Sequence, residues 1–171
     1  AYRFVENPAV EWRDILQPHW DCTLERMREH AVALCIQDTT GLDFNGQDIS
    51  GLGPLNYEAQ RGMYLHPTYV VSTDRVGLGV LDAWMWAREP KDADGNRGGI
   101  KESARWIEGY ERVAEHALDL PDTQLVYVAD READITALMR RCSRPTRWVK
   151  SSSSWRPARD RGRARSNRRC T

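Results

Sequence analysis

Apolar side chains recur at roughly helical intervals through the first part of the chain. There Trp12, Ile15, Leu16, Leu24 and Met27 punctuate polar text and predict helices over residues 1–29. The pattern then changes. Residues 31–36 (Ala-Val-Ala-Leu-Cys-Ile) form a continuous apolar run, too short for a comfortable helix and suited to a strand buried on both faces, and it ends in Gln37-Asp38-Thr39-Thr40. Residues 41–62 are rich in Gly, Asn, Asp and Pro and predict an irregular loop. Two β-like runs follow, residues 63–72 and 76–86, with Thr73-Asp74-Arg75 between them as a tight turn, so the two should pair antiparallel. After a second loop over 89–99, Ile100, Ala104, Ile107, Val113, Ala114 and Ala117 repeat at helical spacing up to Pro121, which predicts an amphipathic helix lying across the sheet. Residues 124–129 read as a second buried strand that again ends at an acid, Asp130. A helix over 132–141 and a short strand over 146–150 complete the ordered text.

The order is strand, hairpin, helix, strand, helix, strand, a mixed α/β layout that matches a ribonuclease-H-like core. In that topology the strand before Asp130 lies parallel to the one before Asp38, through a right-handed helical crossover, so the two acids become neighbours. Carboxylates held close together repel one another unless a cation sits between them. Mg²⁺ and Mn²⁺ prefer hard oxygen ligands, take one or two carboxylates each and fill their other positions with water and phosphate oxygens, which suits phosphodiester chemistry. In a two-metal arrangement Asp38 would bridge the ions. On spacing alone each acid reads more readily as a strand-end or helix-capping residue than as a metal ligand, and Asp130 is well placed to cap the helix that follows. Asp43, Glu132 and Asp134 lie close in sequence and read as solvated or capping acids. His66 reads as a partly buried structural histidine and is left without a role.

Composition changes this picture at one end. The 171 residues are 40% hydrophobic and carry seven tryptophans, enough for one domain with a real core, and the formal net charge is zero. That zero hides an asymmetry, because the last twenty-one residues hold seven arginines and one aspartate. This Ser/Arg-rich tail, residues 151–171, has almost nothing to bury and should be disordered in isolation. It reads either as a nonspecific phosphate-binding arm or, the favoured reading, as text from a shifted reading frame. The expected division is thus a helical lead-in over 1–30, a partial core over 31–150 and the tail. No run of eighteen apolar residues and no leader-like segment is present, so a membrane span and a secretory signal are not expected and a cytoplasmic protein, nucleoid-associated when bound to DNA, is. Cys22, Cys35, Cys142 and Cys170 form no CxxC pair, which argues against a zinc ribbon and gives no reason to propose disulfides.

Five segments carry a resemblance: Ile36-Gln37-Asp38-Thr39-Thr40, Arg61-Gly62-Met63-Tyr64-Leu65-His66, Trp84-Met85-Trp86 with the acidic loop behind it, Lys101-Glu102-Ser103-Ala104-Arg105-Trp106, and Asp130-Arg131-Glu132-Ala133-Asp134-Ile135. In order and spacing they resemble the insertion sequence 4 family of DDE transposases over nearly all of residues 1–150, the last segment being the most specific. The resemblance implies a ribonuclease-H-like mixed sheet flanked by helices, and dependence on Mg²⁺ or Mn²⁺. It also implies cut-and-paste transposition on double-stranded DNA, transposon ends and target alike, by a homodimer in intact members. Asp38 and Asp130 match the first two catalytic and metal-binding acids. The third, a glutamate on a later Tyr/Arg/Glu/Lys helix, has no counterpart after Lys150, so the core is expected to be incomplete at its C-terminal end. The amino-terminal region that recognises transposon ends and the carboxy-terminal dimer interface likewise have no counterpart. A noncatalytic DNA-binding or regulatory remnant is the alternative.

Overall fold

A computed structural model describes residues 2–5, 7–133, 135–142 and 149–151. Two helices lead in, α1 (Tyr2–Val5) and α2 (Trp12–Arg28). The start of α2 is fixed by Asp14, whose carboxylate accepts the backbone N–H of Glu11 at 2.9 Å. Then come β1 (Val32–Gln37), β2 (Thr40–Asp43), β3 (Gly53–Pro54), β4 (Arg61–Ser72) and β5 (Gly77–Trp86), followed by α3 (Glu102–His116) and β6 (Gln124–Val128). A 3₁₀ turn over Arg131–Ala133, α4 (Thr136–Cys142) and β7 (Val149–Ser151) follow. All the described strands belong to one open, mixed sheet. β1 lies between β4, with which it is antiparallel, and β6, with which it is parallel, and β7 runs parallel to β6 beyond that. The fold is therefore α/β, with β4 and β5 forming the expected antiparallel hairpin. Its turn places Arg75 at φ 66 and closes through the Val76 N–H onto the Ser72 hydroxyl at 3.2 Å.

Strand alternation decides where the core sits. Ala33, Cys35 and Gln37 of β1, Leu125 and Tyr127 of β6 and Val70 of β4 are buried, and Trp106, Tyr110 and Val113 of α3 lie over them. The opposite face of β1 is only half covered, and Ile36 is exposed. The apolar run 31–36 is thus buried on one face rather than on both, because the described helices that pack on it, α3 and α4 with the end of α2, contribute to a single core. At the outer edge of β5, α2 supplies side-chain partners to the strand's backbone. The Thr23 hydroxyl donates to Val80 O at 3.0 Å, Arg26 donates to Leu78 O at 2.8 Å, and the Val80 N–H reaches His19 Nε2 at 3.1 Å. An edge that would otherwise offer its peptide groups to another chain is occupied by helix.

Two other expectations are corrected, and a third is met only in part of its range. Residues 41–62 are not wholly irregular. β4 runs well beyond the end of β1, and its first residues would lack partners on both sides without β2 on one and β3 on the other. The helix expected over 132–141 is broken, because the N–H of Ala133 turns back to Asp130 O and that of Ile135 to Ala133 O before α4 begins. The last strand is observed at Val149–Ser151, while residues 146–148 and the tail from 152 lie outside the described residues.

Candidate functional site

Asp38 follows directly on β1, and Asp130 comes one residue after the end of β6, the strand parallel to it. The β1–β6 ladder ends at the pair Ile36 and Val128, so each acid stands two residues past a shared last rung, on neighbouring strands whose backbones run about 4.8 Å apart. Both are exposed. Asp38 Oδ1 accepts the N–H of Thr39 at 2.8 Å and Asp130 Oδ1 that of Glu132 at 2.8 Å, which orients each carboxylate and leaves its Oδ2 without a hydrogen bond from any described residue. The other acids part company with this pair. Asp43 braces its own loop, accepting the N–H of Asn45 at 2.8 Å and Gln60 Nε2 at 3.4 Å. Glu132 is exposed beside Asp130, and Asp134 lies outside the described residues. Among the described residues no three His, Cys, Asp or Glu side chains come together as a metal-binding group. Two carboxylates with one open oxygen apiece fit a hard divalent cation that takes its remaining ligands from water and phosphate.

Beneath the pair, a buried polar network fixes the strand ends. Gln37, immediately before Asp38, donates to Thr68 Oγ1 at 2.8 Å, and its Oε1 accepts the Tyr127 hydroxyl at 2.6 Å. Gly109 of α3 lies so close that a Cβ there would overlap the Gln37 amide, so the absent side chain lets helix and sheet approach. His66 belongs to this layer. It is fully buried rather than partly so, lies between Trp84 and Trp106 with ring centroids 4.5 and 4.8 Å away, and meets the Thr39 hydroxyl through Nδ1 at 2.6 Å. Burial pushes its pKa down to about 4 against the opposing pull of the Asp38 and Glu108 charges, so the ring is neutral at neutral pH. Through Thr39 the imidazole buttresses the turn that carries Asp38.

Beside the acids the hairpin carries an aromatic ladder on its α3 face. Tyr64 and Trp86, cross-strand partners, stack with centroids 4.7 Å apart. The Arg88 guanidinium lies 4.3 Å from the centre of the Tyr64 ring and that of Arg105, from α3, 5.2 Å from the Trp86 ring. Arg88 also donates to Leu55 O at 2.8 Å and pairs with Glu102. Arg105 and Arg112 both bond to Glu108. Burial would raise the Glu108 pKa, but these hydrogen bonds and charges outweigh it and hold the carboxyl below its usual range. A polar cavity of about 220 Å³ runs along this wall and reaches Thr39 and Glu132, the neighbours of the two acids. A larger one of about 400 Å³ shares Trp86, Arg88, Glu102 and Arg105 with it and opens at the amino end of α3.

The sequence reading missed Gln37, Tyr127, Arg88 and Arg105. None is close in sequence to the residue it supports except Gln37, and no local pattern announces which arginine will stack on which ring. No family model matches the chain. No described helix is long and apolar enough to cross a membrane.

Proposed function

We propose that the chain is part of the ribonuclease-H-like catalytic core of a DDE transposase of the insertion sequence 4 type, acting on DNA phosphodiesters with a divalent cation held by Asp38 and Asp130. The observation that carries this reading is the parallel β1–β6 register, which sets the two acids level on adjacent strand ends, exposed and each with an open oxygen. A bound Mg²⁺ or Mn²⁺ would supply Lewis acidity toward a phosphate oxygen and a more acidic nucleophile. The chain's own contribution is placement. The Gln37–Thr68–Tyr127 network and His66 hold the two strand ends still, and the backbone N–H groups of Thr39 and Glu132 aim the carboxylates.

Supercoiled plasmid incubated with the full chain should be nicked in Mn²⁺, not in EDTA, and Asp38→Asn or Asp130→Asn should abolish nicking while leaving DNA binding intact. Nicking that persists in either variant would overturn the reading. Salt-sensitive DNA binding with no nicking at any protein concentration would instead favour a noncatalytic DNA-binding remnant.

A further inference from the structure

We propose that the sheet face opposite α3 is an interface on which a second copy of this chain packs, sheet against sheet. The inference is independent of the phosphodiester reading of Asp38 and Asp130.

Alternation puts one apolar set of side chains under α3 and a second set on the far side of the same strands. On that far side the registers line up two rungs across β6, β1 and β4: Val126, Leu34 and Val71, then Val128, Ile36 and Tyr69. The hairpin carries the face onward to Leu65 and its partner Met85. Ile36, Tyr69 and Met85 are exposed and the others half-buried. Among the described helices, α3 and α4 belong to the core on the other side. α2 reaches only the hairpin end, where Trp12 and Leu16 border an apolar cleft of about 260 Å³ with Leu65 and Met85. The Tyr69 hydroxyl lies 2.1 Å from where Gly77 would carry a Cβ, so the ring lies along the sheet and leaves the face flat.

None of these positions is charged. Arg61, in the outer register at the start of β4, and Lys150, in register with Val126, stand at the margins, and Asp38 and Asp130 follow the strands at one end. An apolar centre with a polar rim is the composition of an interface. A neutral centre meets its own copy without setting like charges against one another, whereas a nucleic acid would find no cation on it. With a two-fold axis running across the strands, the acids of the two copies stand at opposite ends. The residues of this chain beyond β7, 152–171, do not suit the face. They hold seven arginines and Trp155 as their one large apolar side chain, and laying them there would bury charge. Four strands about 4.8 Å apart and about five residues long make a patch of roughly 300 Å² before the hairpin end is added, near the upper limit of what a monomer leaves open. Two such faces packed about 10 Å apart form a small interface, which sets the expected affinity in the micromolar range.

Sedimentation velocity of the full chain over a range of concentrations tests this. The mass should pass from that of one chain to that of two with a dissociation constant on the order of 10⁻⁶–10⁻⁵ M, and added NaCl should leave the association unchanged or tighten it. Ile36→Lys and Met85→Lys each place a cation on the face and should weaken association by about tenfold or more. Leu118→Lys, at a residue 85% exposed just past α3, is the control and should change nothing. Ile36 adjoins the buried Gln37, so circular dichroism and thermal melting accompany its variant. Met85 is 52% exposed, and its variant reads the face without that complication. Weakened association in either folded variant, with Leu118→Lys unchanged, supports the interface. A chain that stays monomeric at every concentration overturns it, as does association that both variants leave intact, that Leu118→Lys weakens equally, or that high salt disperses.

Discussion

His66 has the most to say at the scale of single residues. Its pKa is about 4 in the folded chain and about 6.5 in an unfolded one, so between those values the unfolded state binds more protons. The stability this neutral ring contributes is fully present above pH 6.5. It is lost as pH falls from there towards 4, by up to about 3 kcal/mol for a shift of this size. Urea unfolding at a series of pH values should show that loss, and His66→Gln, which cannot titrate, should flatten it. A wild-type profile in the variant would mean that other groups carry the acid sensitivity. In the sequence His66 offered only its residue type. Its burial comes from Trp84, its cross-strand partner, and Trp106, forty residues further on, and no local pattern links the three. The two acids were legible for the opposite reason, since each stands at the end of a largely apolar run of strand length, Asp38 one residue beyond it and Asp130 immediately after it.

Among elements, periodicity served where an element makes its own pattern and failed where a partner makes it. The hairpin and α3 show two- and nearly four-residue repeats that their burial reproduces. β2 and β3 have no such repeat. They are strands because β4 extends past β1 on one side and past β5 on the other and its peptide groups need partners, which is a property of a neighbour. The contact between α3 and the sheet was equally invisible, since it depends on Gly109 meeting Gln37 across 72 residues of chain. Gly109→Ala would drive a methyl into the Gln37 amide and disturb its hydrogen bonds with Thr68 and Tyr127. A loss of about 2–4 kcal/mol in chemical denaturation is expected, well beyond the effect of alanine on an exposed helical site. A change under about 0.5 kcal/mol would show that α3 can retreat from the sheet without cost, and that the close approach does not hold the strand ends.

Across the whole molecule, a parallel strand pair is what brings two distant acids level on adjacent strand ends, and the hairpin, α2 along its edge and α3 across its face pack around that pair. The order of elements made this topology readable from sequence. The flanking cations were not readable, because Arg88 and Arg105 converge only once the hairpin and α3 are packed. If Asp38 and Asp130 together hold a divalent cation, as we propose, calorimetric titration of Mn²⁺ into the full chain will register it. One weak site is expected, with a dissociation constant on the order of 10⁻⁴–10⁻³ M for so few protein ligands, and it should disappear in both Asp38→Asn and Asp130→Asn. Micromolar or tighter binding that survives Asp130→Asn, or no Mn²⁺ binding in the wild-type chain, would mean that the two acids do not form a cation site.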